Sequence, residues 1–208
     1  MDFFSYFWAV YYEKWRKDML IGICGKAGAG KDTIGDYLVK HKDFKKIALA
    51  DPIKRLVKDV FVLNDNTVYD RVEREKPLEQ WDGWSVRRLL QFIGTELFRK
   101  NIDESIWVKS LWYRVREDPL SNYVITDIRF KNELDFLKDI GKNEFISIKV
   151  VRDGCNGQVG IIGHESEKYD LDADIVLENN GTYSDLFKKI DDIIDLNSKS
   201  HNGNFKNE

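Results

Sequence analysis

The run Gly25-Lys-Ala-Gly-Ala-Gly-Lys31 constrains this chain more than any other segment. It satisfies G-x-x-x-x-G-K between an apolar strand-like run, Met19 to Cys24, and an amphipathic helix-like stretch over residues 31–41. Strand, loop and helix in that order make a cradle for phosphate. Gly25, Lys26, Ala27, Gly28, Ala29 and Gly30 bring backbone N–H groups together, the helix N-terminus adds positive partial charge, and Lys31 reaches the β- and γ-phosphates. A flexible Gly/Ala turn would explain the glycines but not their flanks. A dinucleotide fingerprint fails, because glycines at 25, 28 and 30 do not give G-x-G-x-x-G. Asp32 and then Thr33 follow the lysine where Ser or Thr is usual, so the usual hydroxyl ligand of Mg²⁺ is missing.

From Met19 to Asp195 short β-like runs alternate with longer amphipathic stretches, which predicts one α/β domain with a mostly parallel sheet. After the first strand, further strands are expected over residues 46–50, 123–127, 145–151 and 173–177. Helices are expected over 53–63, with Asp51 as N-cap and Pro52 in the first turn, and over 85–100, 104–117 and 130–140, the last closed by Gly141. Thr182-Tyr-Ser-Asp185 approximates a capping box before a final helix carrying Leu186, Ile190, Ile193 and Ile194. Residues 64–84 lack periodicity, and 152–169 read as a polar loop.

The formal net charge of −3 over 208 residues lacks the basic excess of a duplex-binding protein. Cys24 and Cys155 can form neither a disulfide framework nor a Cys-x-x-Cys site, which suits a reducing cytoplasm. The first 18 residues hold eight of the chain's 27 aromatics, yet their uncharged run is about half the ~20 residues that span a bilayer. They read as an apolar helix packed on the domain or a partner, or as an extension upstream of a start at Met19. Residues 197–208 are expected to form a disordered tail.

On a helix at about 100° per residue, Arg88, Gln91, Thr95 and Arg99 share an arc of roughly 80° beside an apolar face, a stripe able to hold an anion and read a base edge. An ordinary solvated face is the alternative; Gly94, costly in mid-helix, favours close approach by a ligand or backbone. Asp127 ends an apolar strand, where it would hold Mg²⁺ or its waters or cap the next helix, and Arg129 could neutralise transferred charge. Asp51 has the same two readings. Arg152 opens the 152–169 loop, where a mobile cation would exclude water during phosphoryl transfer, while His164 in that loop reads as solvated. Arg71, Arg74, Lys76, Trp81 and Trp84 mix cations with aromatics, but Glu73, Glu75, Glu79 and Asp82 cancel the charge, pointing to a substrate-side insertion rather than a nucleic-acid platform.

Gly-Lys-Asp-Thr at 30–33 resembles the phosphate loop of bacteriophage-type deoxynucleoside monophosphate kinases. Ala50-Asp-Pro-Ile-Lys54, Leu90-Gln-Phe-Ile-Gly-Thr-Glu96 with Arg99, Thr126-Asp-Ile-Arg-Phe-Lys-Asn-Glu133 and His164-Glu-Ser-Glu167 follow in that family's order, covering residues 19–196. The resemblance implies a three-layer P-loop kinase fold with a five-stranded parallel sheet, and ATP- and Mg²⁺-dependent phosphorylation of deoxynucleoside 5′-monophosphates. It implies that Lys31 holds the β/γ-phosphates, that Asp32, Thr33 and Asp127 organise the metal, and that Asn180 lies against adenine. Arg88, Gln91, Thr95 and Arg99 would bind the acceptor together with Asp51, and Arg129 and Arg152 would stabilise transferred charge. A kinase for another small monophosphate, of dephospho-coenzyme A or phosphomevalonate type, and a non-catalytic ATP-binding interaction protein are the alternatives. No stable nucleic-acid partner and no membrane are expected, and a homodimer is compatible with the sequence. If the chain is phage-encoded, the expected compartment is the host cytoplasm.

Overall fold

A computed structural model describes residues 19–155 and 171–203, with side chains as far as Asn197. The expected aromatic segment at 1–18 and the His164 to Glu167 motif lie outside the described residues.

Five strands form a parallel sheet: β1 (Leu20–Cys24), β2 (Phe44–Ile47), β5 (Asn122–Ile125), β6 (Phe145–Val151) and β7 (Ile175–Glu178). Their order is β2-β5-β1-β6-β7, with Leu20 of β1 opposite both Tyr123 and Phe145. β1 is buried along its whole length and reads as an unbroken apolar run, as a central strand covered on both faces must. Helices α1 (Lys31–His41) and α7 (Tyr183–Gly203) cover one face over Ile21, Ile23, Ile34, Leu38, Leu186 and Ile190. On the other face α2 (Asp51–Val60), α4 (Val86–Gln91), α5 (Ile106–Arg116) and α6 (Lys131–Gly141) enclose a larger core around Leu20, Val57, Leu111, Ile125 and Leu137. This is the expected three-layer fold.

Several boundaries differ from the sequence reading. β2 covers 44–47 rather than 46–50, because Ala48 to Ala50 turn away and give their N–H groups to carboxylates: Ala48 to Asp51, Leu49 and Ala50 to Asp127. α6 ends on Lys142 at a positive φ of 44°, and Gly141 is right-handed; the glycine is there because a Cβ would run into Phe145. The 64–84 stretch holds a short helix α3 (Asp65–Tyr69), capped by Asn64 Oδ1 on Thr67 N–H at 2.9 Å, and a 3₁₀ turn (Glu73–Glu75). It ends in a two-stranded hairpin, β3 (Pro77–Leu78) with β4 (Trp84–Ser85). These pieces are too short for periodicity to register. α7 continues to Gly203, past Asn197 where the tail was expected to begin. Its capping box is reciprocal, Asp185 Oδ2 accepting Thr182 N–H at 2.9 Å and Thr182 Oγ1 accepting Asp185 N–H at 3.3 Å. No helix among the described residues is long and apolar enough to cross a membrane.

The predicted helix over 85–100 changes pitch. After α4 the chain continues as a π-helix (Phe92–Arg99), with Lys100 N–H donating to Thr95 C=O at 3.0 Å, while buried Trp107 Nε1–H takes the Gly94 carbonyl at 2.9 Å. Bonding five residues apart widens each turn, and such segments concentrate at functional sites.

Candidate active site

Ligands of open α/β sheets collect beyond the carboxyl ends of the strands, and β1 leads there directly into the glycine-rich loop. Gly25, φ 135°, passes so close to β6 that a Cβ would run into the Val150 carbonyl. Gly30, φ 106°, meets the Asn179 amide in the same way, and Asn179 Nδ2 donates to Ala29 C=O at 2.8 Å. Asn179, almost buried at the end of β7, thus pins the loop. The sequence did not single out Asn179 as a residue that positions the loop, and no motif marks it.

Lys31 Nζ donates to the Gly25 and Lys26 carbonyls, each at 2.8 Å, and so lies folded into the loop. Burial, reinforced by Arg129, lowers its pKa against the pull of Asp32. Asp32 is the hub of the first turn. Its Oδ1 accepts from Lys46 Nζ at 3.0 Å and Thr126 Oγ1 at 3.1 Å, and its Oδ2 from Arg71 at 2.6 Å. Burial pushes the Asp32 carboxyl up, but those donors outweigh it and hold it below its ordinary value. Thr33 instead lines a groove of about 390 Å³ between α1 and α7, with Tyr37 and Phe187 stacked at 4.1 Å.

Asp127 sits two residues past β5 and accepts from Leu49 and Ala50 N–H, both at 3.0 Å, so it ties the β2–α2 turn to β5. Burial raises its pKa. It does not cap α6; Glu133 does that, Oε2 accepting Arg129 and Phe130 N–H at 3.0 and 3.1 Å. Asp51 likewise closes its own turn, accepting Ala48 N–H at 2.9 Å with Arg114 at 3.6 Å. Arg129 is exposed, and its side chain makes no hydrogen bond or ion pair among the described residues. Arg152 is exposed just beyond β6, and beside it Asp153 is bridged to Asn180, N–H to Oδ1 at 2.9 Å and Nδ2 to Oδ2 at 2.8 Å.

The four residues of the expected acceptor stripe have different neighbours. Arg88 lies over the Trp84 ring at 4.0 Å, and Gln91 Oε1 is buried without a hydrogen-bond partner. Thr95 and Arg99 line a separate cavity of about 420 Å³ with Phe130, Asn132 and Lys131. Arg99 is committed there: to Glu133 at 3.1 Å, to Asn132 at 3.0 Å, and against Phe130 at 3.8 Å. The α-helical spacing assumed for the arc holds only as far as Gln91, and Thr95 and Arg99 stand on the π-helix.

Burial raises Glu133 from 4.5 to about 7, against the pull of two backbone N–H groups and Arg99. Between pH about 4.5 and 7 the folded chain therefore keeps a proton that the unfolded chain has released, so this group's contribution to stability falls as pH rises, by at most ~1.4 kcal/mol per pH unit. Urea midpoints at pH 5, 6 and 7 should decline along that slope and flatten in Glu133→Gln. An identical slope in both proteins would refute the assignment.

The sequence profile of the deoxynucleotide monophosphate kinases matches residues 19–76 and 63–190. A protein of Acanthamoeba polyphaga mimivirus, named as a candidate deoxynucleotide monophosphate kinase, is 33% identical over 189 residues, 85% of this chain and 96% of its own. The deoxynucleotide monophosphate kinase of Enterobacteria phage T4 is 36% identical over 112 residues, 52% of this chain and 45% of that protein. Among solved structures, the shikimate kinase of Aquifex aeolicus aligns with a TM-score of 0.45 at 14% identity, over 88% of this chain and 98% of that one.

Proposed function

The chain belongs to the deoxynucleotide monophosphate kinase family, and from that premise we propose that it transfers the γ-phosphoryl group of ATP, with Mg²⁺, to a deoxynucleoside 5′-monophosphate, giving a diphosphate and ADP. The observation that carries the reading is the loop itself. Gly25 and Gly30 adopt backbone open to glycine, Asn179 holds the loop in place, and the Lys31 ammonium rests on loop carbonyls at 2.8 Å, which a phosphate would replace as its partner.

The acceptor is already an anion, so no strong general base is needed and catalysis comes from positioning and electrostatics. Lys31 would hold the β/γ-phosphates against the loop N–H groups. Arg129, exposed and unpaired among the described residues, would follow the transferred group, and Arg152 would close over it from the end of β6. Asn180, fixed by Asp153, would border adenine.

For the metal, the donors fit a water-mediated role. Among the described residues no group of three or more His, Cys, Asp or Glu could hold an ion unaided, which suits Mg²⁺ kept mainly by phosphates and water. Asp32 stays ionised and could accept from a metal-bound water once Arg71 moves; Asp127, with both oxygens on backbone N–H, could do so only through its remaining lone pairs. Mg²⁺ would neutralise charge on the β- and γ-oxygens.

The test is ADP release with ATP and each common deoxynucleoside and ribonucleoside monophosphate, with dephospho-coenzyme A and phosphomevalonate alongside. Acceptor-dependent ADP is expected with one or more deoxynucleotides. ATP binding without it would make the chain a binding protein, and release only with a non-nucleotide acceptor would reassign the kinase.

A further inference from the structure

Between β5 and α6, residues 126–130 have every side chain held but one. Thr126 Oγ1 donates to Asp32 at 3.1 Å, and the Asp127 carboxylate takes the Leu49 and Ala50 N–H groups, both at 3.0 Å. Ile128 is buried against β1, where a Cβ on Gly22 would run into its Cδ1. The Phe130 ring packs on the Arg99 guanidinium at 3.8 Å. Arg129 alone of the five is exposed, and it lies within electrostatic range of both Lys31 and Asp127.

The backbone of Arg129 is held by Glu133. Its Oε2 accepts the Arg129 N–H at 3.0 Å and the Phe130 N–H at 3.1 Å, and its Oε1 accepts from Arg99 at 3.1 Å. Arg99 is anchored in turn by Asn132 Oδ1 at 3.0 Å, and Asn132 donates to the Glu104 carbonyl at 3.0 Å and Ser105 Oγ at 3.1 Å. A helix cap needs no such burial, since Ser, Thr, Asp or Asn at the N-cap would serve α6 from the surface. Phe130 stands at that position instead, and the carboxylate that replaces such a cap is buried at a cost in desolvation. It also reaches one residue further back than a capping box does, to the N–H of Arg129.

We propose that Glu133 is a positioning residue for phosphoryl transfer that acts through Arg129, fixing the backbone from which the free guanidinium reaches the transferred group. The role rests on the kinase reading above, in which Arg129 follows that group. With residues 126–130 tied to β1, to the β2–α2 turn and to the π-helix, the guanidinium starts from a fixed Cα and only its own rotamers remain to be ordered. A displacement of about 1 Å in a group that meets the transition state can cost ~10²-fold in rate. A buried carboxylate therefore governs turnover without touching substrate.

A double-mutant cycle in the full chain tests this. Glu133→Ala should lower kcat roughly ten- to hundredfold while the KM values for ATP and acceptor stay within about threefold. In an Arg129→Ala background the same substitution should change kcat by less than about twofold, because the group it positions is gone. A merely structural defect would cost the same factor in both backgrounds. Glu133→Gln keeps an oxygen for the two N–H groups and should restore most of kcat. If Glu133→Ala does not fold, Glu133→Asp, one methylene short of those N–H groups, takes its place in the cycle. Equal losses in the two backgrounds, wild-type kcat in a folded Glu133→Ala, a Glu133→Gln as slow as Glu133→Ala, or full turnover in Arg129→Ala would overturn the positioning role and leave the kinase reading standing. A wild-type chain that binds ATP but phosphorylates no acceptor would overturn both.

Discussion

Lys31→Ala is expected to lower turnover by ~10²-fold or more, since it removes the cation proposed to hold the transferred phosphoryl group. The fold should survive. Among the described residues Lys31 Nζ bonds only the Gly25 and Lys26 carbonyls, and burial already disfavours its charge, so its loss removes little that holds the fold. Steady-state kinetics beside a thermal melt would separate the two effects. Near-normal turnover by a folded variant would remove the basis for reading residues 25–31 as a phosphate loop.

Arg99→Ala should act on stability. Its guanidinium is 10% exposed against a Glu133 side chain that is 5% exposed, and removing one partner of such a pair typically costs about 3–5 kcal/mol because the other charge stays buried. That corresponds to a fall in Tm of very roughly 6–20 °C for a chain of this size. The loss should be larger at pH 8 than at pH 6, where Glu133, already raised to about 7, escapes by taking up a proton. Glu133→Gln in the same chain should restore part of the stability, since an amide can still cap α6 without leaving a bare charge. Melting the two variants at both pH values checks this. A variant that melts like wild type but has lost only acceptor affinity would return Arg99 to the acceptor site.

The fold was legible because its signals are local or periodic. Apolar runs mark β1 and β6, with β6 correct to the residue; Thr182 and Asp185 mark the start of α7; and G-x-x-x-x-G-K marks the turn that phosphate chemistry requires. All of these follow from side-chain sequence over a few residues. The roles of the charged side chains did not follow, because a carboxylate or guanidinium is defined by its partner, and the partners of Asp32, Asp127 and Arg99 lie 14 to 94 residues away. Asp127 reads as a strand-end metal ligand yet holds the backbone of residues 49 and 50. Arg99 sits on a stripe read as an acceptor site, but Glu133 and Asn132 hold its guanidinium. Arg71 and Arg74 look neutralised by their acidic neighbours along the chain, whereas in space Glu75 turns to Arg87 and Asp32 becomes the partner of Arg71. The sequence by itself determined the alternation of strands and helices and the phosphate loop, because periodicity and backbone freedom are local properties. Only the tertiary structure decided which charges are paired and which remain free for a ligand, because that depends on distances and burial that no spacing along the chain encodes.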